Sequence, residues 1–244
     1  MTRLRACVAL LAVLLGTLTV ATGSPASAAT GKPKVGQCHN LTWNQAYSAS
    51  DTRPVVSCRA RHTTETIAVK TAPVSLAGLS DAELSDVMEK ICTPVFLARL
   101  GRTPARRAST PYSFQMYGPT PAQVAQGAQW VRCDVYLRGG KNTMLRLPGH
   151  RLPRIILPAR PTDATLRCLD ASNVPTPCTH RHSYRPNGVL LFKASLPYPK
   201  DPTATFNAAA SRSCPRSTAR WTWVAPIRWS AGDRSMVCYD KTTK

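Results

Sequence analysis

Eight of the nine cysteines form two sets of four, and the residues around them recur in the same order in both sets. The sets are Cys38, Cys58, Cys92 and Cys133, then Cys168, Cys178, Cys214 and Cys238. In both sets the second cysteine begins a Cys-x-x-x-His motif, which ends at His62 and at His182. A proline, a Val or Trp and a glycine then precede the fourth cysteine at matching distances, starting from Pro121 and from Pro226. This shared order predicts one module that occurs twice.

The amino terminus has the layout of a secretory signal peptide. Arg3 and Arg5 precede an apolar run, and small residues follow up to Ala28. We expect cleavage after Ala28, which leaves no transmembrane segment and removes the ninth cysteine, Cys7. The alternative is an uncleaved anchor helix, because the apolar run approaches the length that spans a bilayer. The sequence therefore predicts a secreted, extracytoplasmic protein, associated with the cell wall.

An even number of cysteines in an exported protein indicates disulfides rather than metal ligands. Four cysteines per half allow three pairings in each, and spacing alone does not choose among them. We favour the first with the second and the third with the fourth in each half. That choice gives Cys38–Cys58, Cys92–Cys133, Cys168–Cys178 and Cys214–Cys238.

The chain is strongly basic, with 32 Lys and Arg against 12 Asp and Glu and a formal net charge of +20. Such a chain is attracted to polyanions such as wall polymers or acidic lipid headgroups, unless the charge serves only solubility. Nucleic acid is a weaker candidate, since no reading helix, RNA-binding aromatic motif or zinc finger is present. We predict no specific nucleic-acid partner.

The order of elements predicts an α+β fold with two related disulfide-stapled halves. Each half is expected to be a small antiparallel sheet with one helix. Residues 1–28 form the signal peptide, 29–140 the first module, 141–161 a Pro- and Arg-rich joint and 162–244 the second module. The joint is expected to be semi-rigid.

Capping patterns locate one helix in each half. Ser80 and Glu83 form a capping box before apolar residues at helical spacing. Pro94 is expected to kink or end that helix. Asp201-Pro202 begins the second helix, which is predicted to run to Cys214.

His62 and Glu65 are the most enzyme-like pair, because a general acid or base needs such partners within reach of a substrate. The sequence supplies no activated nucleophile, and the second half has Arg185 where Glu65 stands. We therefore predict that His62 and His182 shape turns, that no residue is catalytic and that no cofactor is used. Metal binding is rejected, because His180 and His182 are too few ligands once the cysteines are oxidised.

Three tryptophans near the carboxyl terminus allow two interpretations. Trp221 and Trp223 share one face of a strand near Arg234 and could form a sugar- or anion-binding surface, or part of the core. Trp229 occupies the position of Val124 in the first half, which favours the core.

Taken together, these motifs resemble the bacterial septum-formation domain family of exported or membrane-tethered actinobacterial proteins. The matching pieces are Val35-Gly36-Gln37-Cys38, Val56-Ser57-Cys58 with His62 and Glu65, Cys92, and Trp229-Ser230-Ala231-Gly232-Asp233-Arg234 before Cys238. Arg61 stands where the family usually has proline, and the first half has Gly127-Ala128-Gln129 in place of Gly-Asp-Arg. The departures fit framework positions, such as a turn at Asp233 and Arg234. The resemblance implies a role in division or the cell envelope and carries no established chemistry.

The sequence thus predicts a non-enzymatic cell-envelope protein that acts by binding. Its partner would be an anionic wall polymer or a septal envelope protein. One alternative is a secreted hydrolase that uses His62 and Glu65. The other is a module that binds a single protein as an inhibitor or receptor.

Overall fold

The computed structural model describes residues 31–242, so the predicted signal peptide lies outside the described part of the chain. The described residues belong to one compact unit with two five-stranded antiparallel sheets and six helices. None of these helices is long and apolar enough to cross a membrane. The predicted α+β class with disulfide-stapled halves is confirmed.

The first half builds its sheet in the order β1-β2-β4-β3, with β5 paired to the end of β4. Its elements are β1 (Cys38–His39), α1 (Trp43–Ala46), β2 (Thr64–Thr71), α2 (Asp81–Leu100), α3 (Pro104–Ala108), β3 (Tyr112–Tyr117), α4 (Pro121–Ala125), β4 (Trp130–Arg138) and β5 (Met144–Leu145). The central strand β4 is buried over its first seven residues, which means that both of its faces are covered.

The second half repeats this order with shorter connections. Its elements are β6 (Arg167–Leu169), β7 (Pro175–Pro177), β8 (Tyr184–Leu191), α5 (Pro202–Ser213), β9 (Thr218–Trp223), α6 (Pro226–Ser230) and β10 (Ser235–Lys241). The sheet order is β7-β6-β8-β10-β9. Without β7, this order equals that of the first half when β6, β8, β10 and β9 replace β1, β2, β4 and β3. Both halves therefore share one topology.

Four disulfides join the cysteines in the predicted pairs. They are Cys38–Cys58, Cys92–Cys133, Cys168–Cys178 and Cys214–Cys238. In each half the later bridge connects the long helix, or its carboxyl cap, to the central strand. The earlier bridge closes the loop that leads into the Cys-x-x-x-His turn. The predicted pairing is confirmed.

Helix α2 begins as predicted but does not end at Pro94. The Ser80 and Glu83 side chains form the reciprocal capping box, and the helix continues to Leu100. A proline inside a helix costs about 3 kcal/mol. Phe96 and Leu100 lie beyond it and are fully buried, and burial of such side chains contributes about 2 kcal/mol each. Core packing thus outweighs the local preference to stop.

The stretch predicted as a joint packs against the first half. Leu147, Leu152, Ile156 and Leu157 are buried in the same hydrophobic cluster as α2 and β4. The backbone N–H of Ile156 also donates to the Arg99 carbonyl at 2.8 Å. The predicted semi-rigid connection is therefore held by side-chain burial as well as by its prolines.

Contacts also join the two halves. Ala108 of α3 lies in a buried cluster with Leu169, Val237 and Tyr239 of the second half. The Arg167 N–H donates to the Ser109 carbonyl at 2.8 Å. The second sheet is thereby fixed against the end of α3.

Candidate functional site

The two repeated histidines occupy the same turn in their halves. His62 and His182 are both buried and precede β2 and β8 by two residues. In each, Nδ1 pairs with a backbone carbonyl two residues earlier, Ala60 at 3.0 Å and His180 at 2.7 Å. Because a carbonyl only accepts, Nδ1 carries the proton in both rings. The matched geometry is that of turn-forming histidines.

Glu65 lies near His62, but in the protein interior. Its side chain is buried, and Oε2 accepts the Leu152 backbone N–H at 2.7 Å. Burial raises the pKa of Glu65, although the Leu152 hydrogen bond and the positive charge of Arg99 oppose the rise. Glu65 therefore fastens β2 to the stretch that contains Leu152.

Arg185 takes the place of Glu65 in the second half, where it forms a partly exposed ion pair. Its guanidinium Nη2 lies 2.5 Å from Asp163 Oδ1, and both side chains are about two-fifths exposed. The enzyme-like pair of the first half therefore has no counterpart in the second.

The described residues place one group of metal-ligand types together. A ligand atom of Cys38, one of His62 and one of Glu65 all lie within 4.8 Å of each other. The Cys38 sulfur is bonded to Cys58, so it is not a thiolate. Two ligands remain, whereas zinc takes three or four from the protein. The oxidised protein does not present a zinc site here.

The three tryptophans belong largely to the core of the second half. Trp229 is 1% exposed, and its indole N–H donates to the Leu196 carbonyl at 2.9 Å. Trp223 stacks on the buried Phe206 of α5 with ring centroids 5.1 Å apart. Trp221 packs half-buried against the same cluster. This face of β9 is covered by α5 and is not an open aromatic platform.

The turn at Asp233 and Arg234 follows the short helix α6. Gly232 has a φ of 88°, and Gly127 has a φ of 85° at the matching place after α4. The buried Asp233 carboxylate accepts from Arg228, and Asp233 Oδ1 lies 3.8 Å from Arg107 Nε of α3. Asp233 therefore links the two halves.

Sequence reasoning missed a buried charge network in the first half. Arg132 on β4 is 2% exposed, and its Nη2 donates to Asp51 at 2.7 Å and lies 3.1 Å from Asp134. Thr66 donates to the other oxygen of Asp134 at 2.8 Å. One sequence feature could have indicated this network. Arg132 and Asp134 flank Cys133 in a strand that is buried on both faces.

His39 faces this network, with Nδ1 3.5 Å from Asp51 Oδ2. Burial lowers the pKa of His39, and the charge of Arg132 lowers it further, against the opposing effects of Asp134 and Asp51. Burial alone would raise the pKa of Asp51, but the hydrogen bond and charge of Arg132 hold it below its usual value. At neutral pH the network is thus an ion cluster beside a neutral imidazole.

A family model described as septum formation matches residues 35–238, which covers both halves and all four bridges. The chain belongs to the septum-formation family. The resemblance drawn from the motifs is confirmed at this level, and membership supports a septum-related role. No curated protein and no solved structure matches this septum-formation chain.

Negative charge is unevenly distributed over the septum-formation chain. Asp51, Glu65, Asp134 and Asp233 are buried, which removes four of the twelve carboxylates from the surface. Four more lie in the first half of α2, and the remaining four belong to the second half. Between residues 31 and 162, the surface outside α2 therefore exposes no carboxylate. Most of the exposed basic residues there have no acidic side chain at ion-pair distance, apart from Arg53 with Asp51 and Arg107 with Asp233.

Proposed function

We propose that this septum-formation protein is a non-catalytic binding module that holds an anionic cell-wall polymer outside the cytoplasm. The observation that carries the proposal is the charge distribution. The net charge is +20, and the first half buries every carboxylate that is not on α2. A surface of one sign attracts a polyanion and raises its local concentration.

The disulfides support an extracytoplasmic site of action. All eight cysteines of the two sets are paired, and such bridges persist in oxidising compartments. Septum-related proteins that work there meet the cell wall directly, which makes a wall polymer the nearest polyanion.

The candidate catalytic pair supports binding rather than hydrolysis. His62 and Glu65 are buried, and each already has a backbone hydrogen-bond partner. A general base must reach a substrate proton, whereas both of these side chains are buried. We expect Glu65→Gln, which keeps an oxygen acceptor for the Leu152 N–H, to retain full function in a septum-formation assay. A loss of function with unchanged thermal stability would instead favour the hydrolase.

Wall retention tests the proposed function. Purified oxidised protein is incubated with isolated cell walls across a salt series, and with walls from which the anionic polymer has been extracted. We expect retention that falls steeply as salt rises and is absent from the extracted walls, because exposed charges are screened. Retention that does not depend on salt and persists on extracted walls would indicate a protein partner instead of the polymer. No retention at low salt would reject the proposal.

A further inference from the structure

Five arginines line one cleft at the carboxyl end of α2. The cleft has a volume of about 650 Å³ and lies between the end of α2, helix α3 and the segment around Ile155. Its arginines are Arg99, Arg102, Arg106, Arg107 and Arg154. The acidic residues of α2 lie in the first half of this helix, which is about 30 Å long, whereas the cleft is at its carboxyl end.

Among the described residues, most of this positive charge has no acidic counter-charge. Arg107 shares the Asp233 carboxylate with Arg228, and Glu65 is the acidic group that acts on Arg99. Within residues 31–242, Arg102, Arg106 and Arg154 have no acidic side chain at ion-pair distance. Three arginines therefore line one cleft without an acidic partner among the described residues.

The cleft is built before any ligand arrives. Arg107 Nη1 donates to the Gly101 carbonyl at 3.0 Å, which fixes that side chain across the α2–α3 connection. The hydrogen bond from Ile156 to Arg99 fixes the opposite wall. Arg99 Nε, Arg106 Nη2 and Arg107 Nε are buried nitrogens without a hydrogen-bond partner. Because the Arg107 side chain and the backbone around Ile156 are already fixed, binding requires less further ordering of these parts of the cleft.

The helix dipole does not account for the cluster. The carboxyl end of a helix carries about half a negative charge, which favours one nearby cation. Five arginines exceed that partial charge severalfold, and three of them have no acidic partner. Such a concentration of positive charge favours an anion from solution at this place.

We propose that this cleft binds a phosphate group of the wall polymer; the inference rests on the proposed function and names its binding site. Guanidinium groups reach the cleft from three different segments of the chain. A phosphodiester of the polymer arranges its two charged oxygens and two ester oxygens as a tetrahedron and can accept from several directions, whereas a carboxylate offers two oxygens in one plane. The volume leaves room for the adjoining polymer units.

Calorimetric titration of the oxidised protein with poly(glycerol phosphate) tests the site. The test variant is Arg102→Gln/Arg106→Gln/Arg154→Gln. The control variant, Arg146→Gln/Arg212→Gln/Arg216→Gln, loses the same charge at exposed positions outside the cleft. We expect the cleft variant to bind about tenfold more weakly or worse, and the control to change by about threefold or less. Equal thermal unfolding of both variants excludes a folding defect.

Further titrations identify the chemistry and the source of the phosphate. Inorganic pyrophosphate is expected to compete with the polymer in the wild type, and polyglutamate is expected to bind more weakly. Equal weakening in both variants would overturn the cleft as a site while leaving charge-driven wall binding intact. Pyrophosphate binding without polymer binding would keep the phosphate site but reject the proposed function. Polyglutamate binding as strong as that of the polymer would overturn the preference for phosphate.

Discussion

At the residue scale, the two halves differ in character at three matching buried strand positions. The first half has His39, Arg132 and Asp134 where the second half has Leu169, Val237 and Tyr239. All six are buried. One topology therefore accommodates an ion network in one copy and an apolar core in the other. Sequence periodicity could not predict this network, because Asp51 approaches Arg132 only after the chain folds.

Removal of the central cation should destabilise the first half strongly. Asp134 has its only described ion pair with Arg132, so Arg132→Met leaves a buried carboxylate without a cation. We expect a loss of about 3–5 kcal/mol in the free energy of unfolding. Arg185→Met is the control, since its ion pair is half-exposed and should cost less than about 1 kcal/mol. Chemical denaturation measures both, and equal losses would contradict the buried network.

Acid should destabilise the protein in two stages. The pKa of His39 is lowered by folding, so its stabilising effect is complete above the unfolded value of 6.5 and is lost as pH falls below it. The pKa of Asp51 is also lowered, which extends the loss below its ordinary value of 3.8. Glu65 acts in the opposite sense, because its raised pKa makes protonation favourable in the folded state.

Thermal unfolding across pH 4–8 checks the titration, with His39→Leu as the comparison because leucine occupies this place in the second half. We expect the variant to lose the part of the pH dependence just below pH 6.5. An unchanged profile would show that His39 does not contribute.

At the element scale, the sequence predicted the features that depend on neighbouring residues, such as the starts of helices. The caps at Ser80 and Asp201 begin helices as expected. The missed features depend on distant residues. Helix α2 passes Pro94 because its far end is buried, and the arginine cleft forms only when the segment at Arg154 docks against α2.

The disulfide Cys92–Cys133, which joins α2 to β4, should stabilise the protein more than Cys168–Cys178, which closes the loop containing β6 and β7. Cys92–Cys133 closes a loop of 41 residues and Cys168–Cys178 one of 10. Loop-closure entropy gives about 4 and about 3 kcal/mol, respectively. We expect Cys92→Ala/Cys133→Ala to be less stable than Cys168→Ala/Cys178→Ala by about 1 kcal/mol in urea denaturation. The reverse order would contradict the view that α2 is held to the sheet by this bridge.

At the scale of the whole molecule, the helix that connects the two halves also lies beside the arginine cleft. Helix α3 contributes Ala108 to the core of the second half and Arg107 to the Asp233 carboxylate. The same short helix contributes Arg106 and Arg107 to the cleft. The element that joins the halves thus also contributes to the proposed site, whose lining belongs to the first half and to the predicted joint.

The salt dependence of polymer affinity tests the central claim most directly. The association constant for poly(glycerol phosphate) is measured for the wild type and for the two triple variants over a range of salt concentrations. We predict that affinity falls as salt rises, with a shallower slope in the cleft variant than in the control, because fewer phosphate contacts release fewer counterions. An affinity independent of salt, or the same slope in both variants, would contradict it.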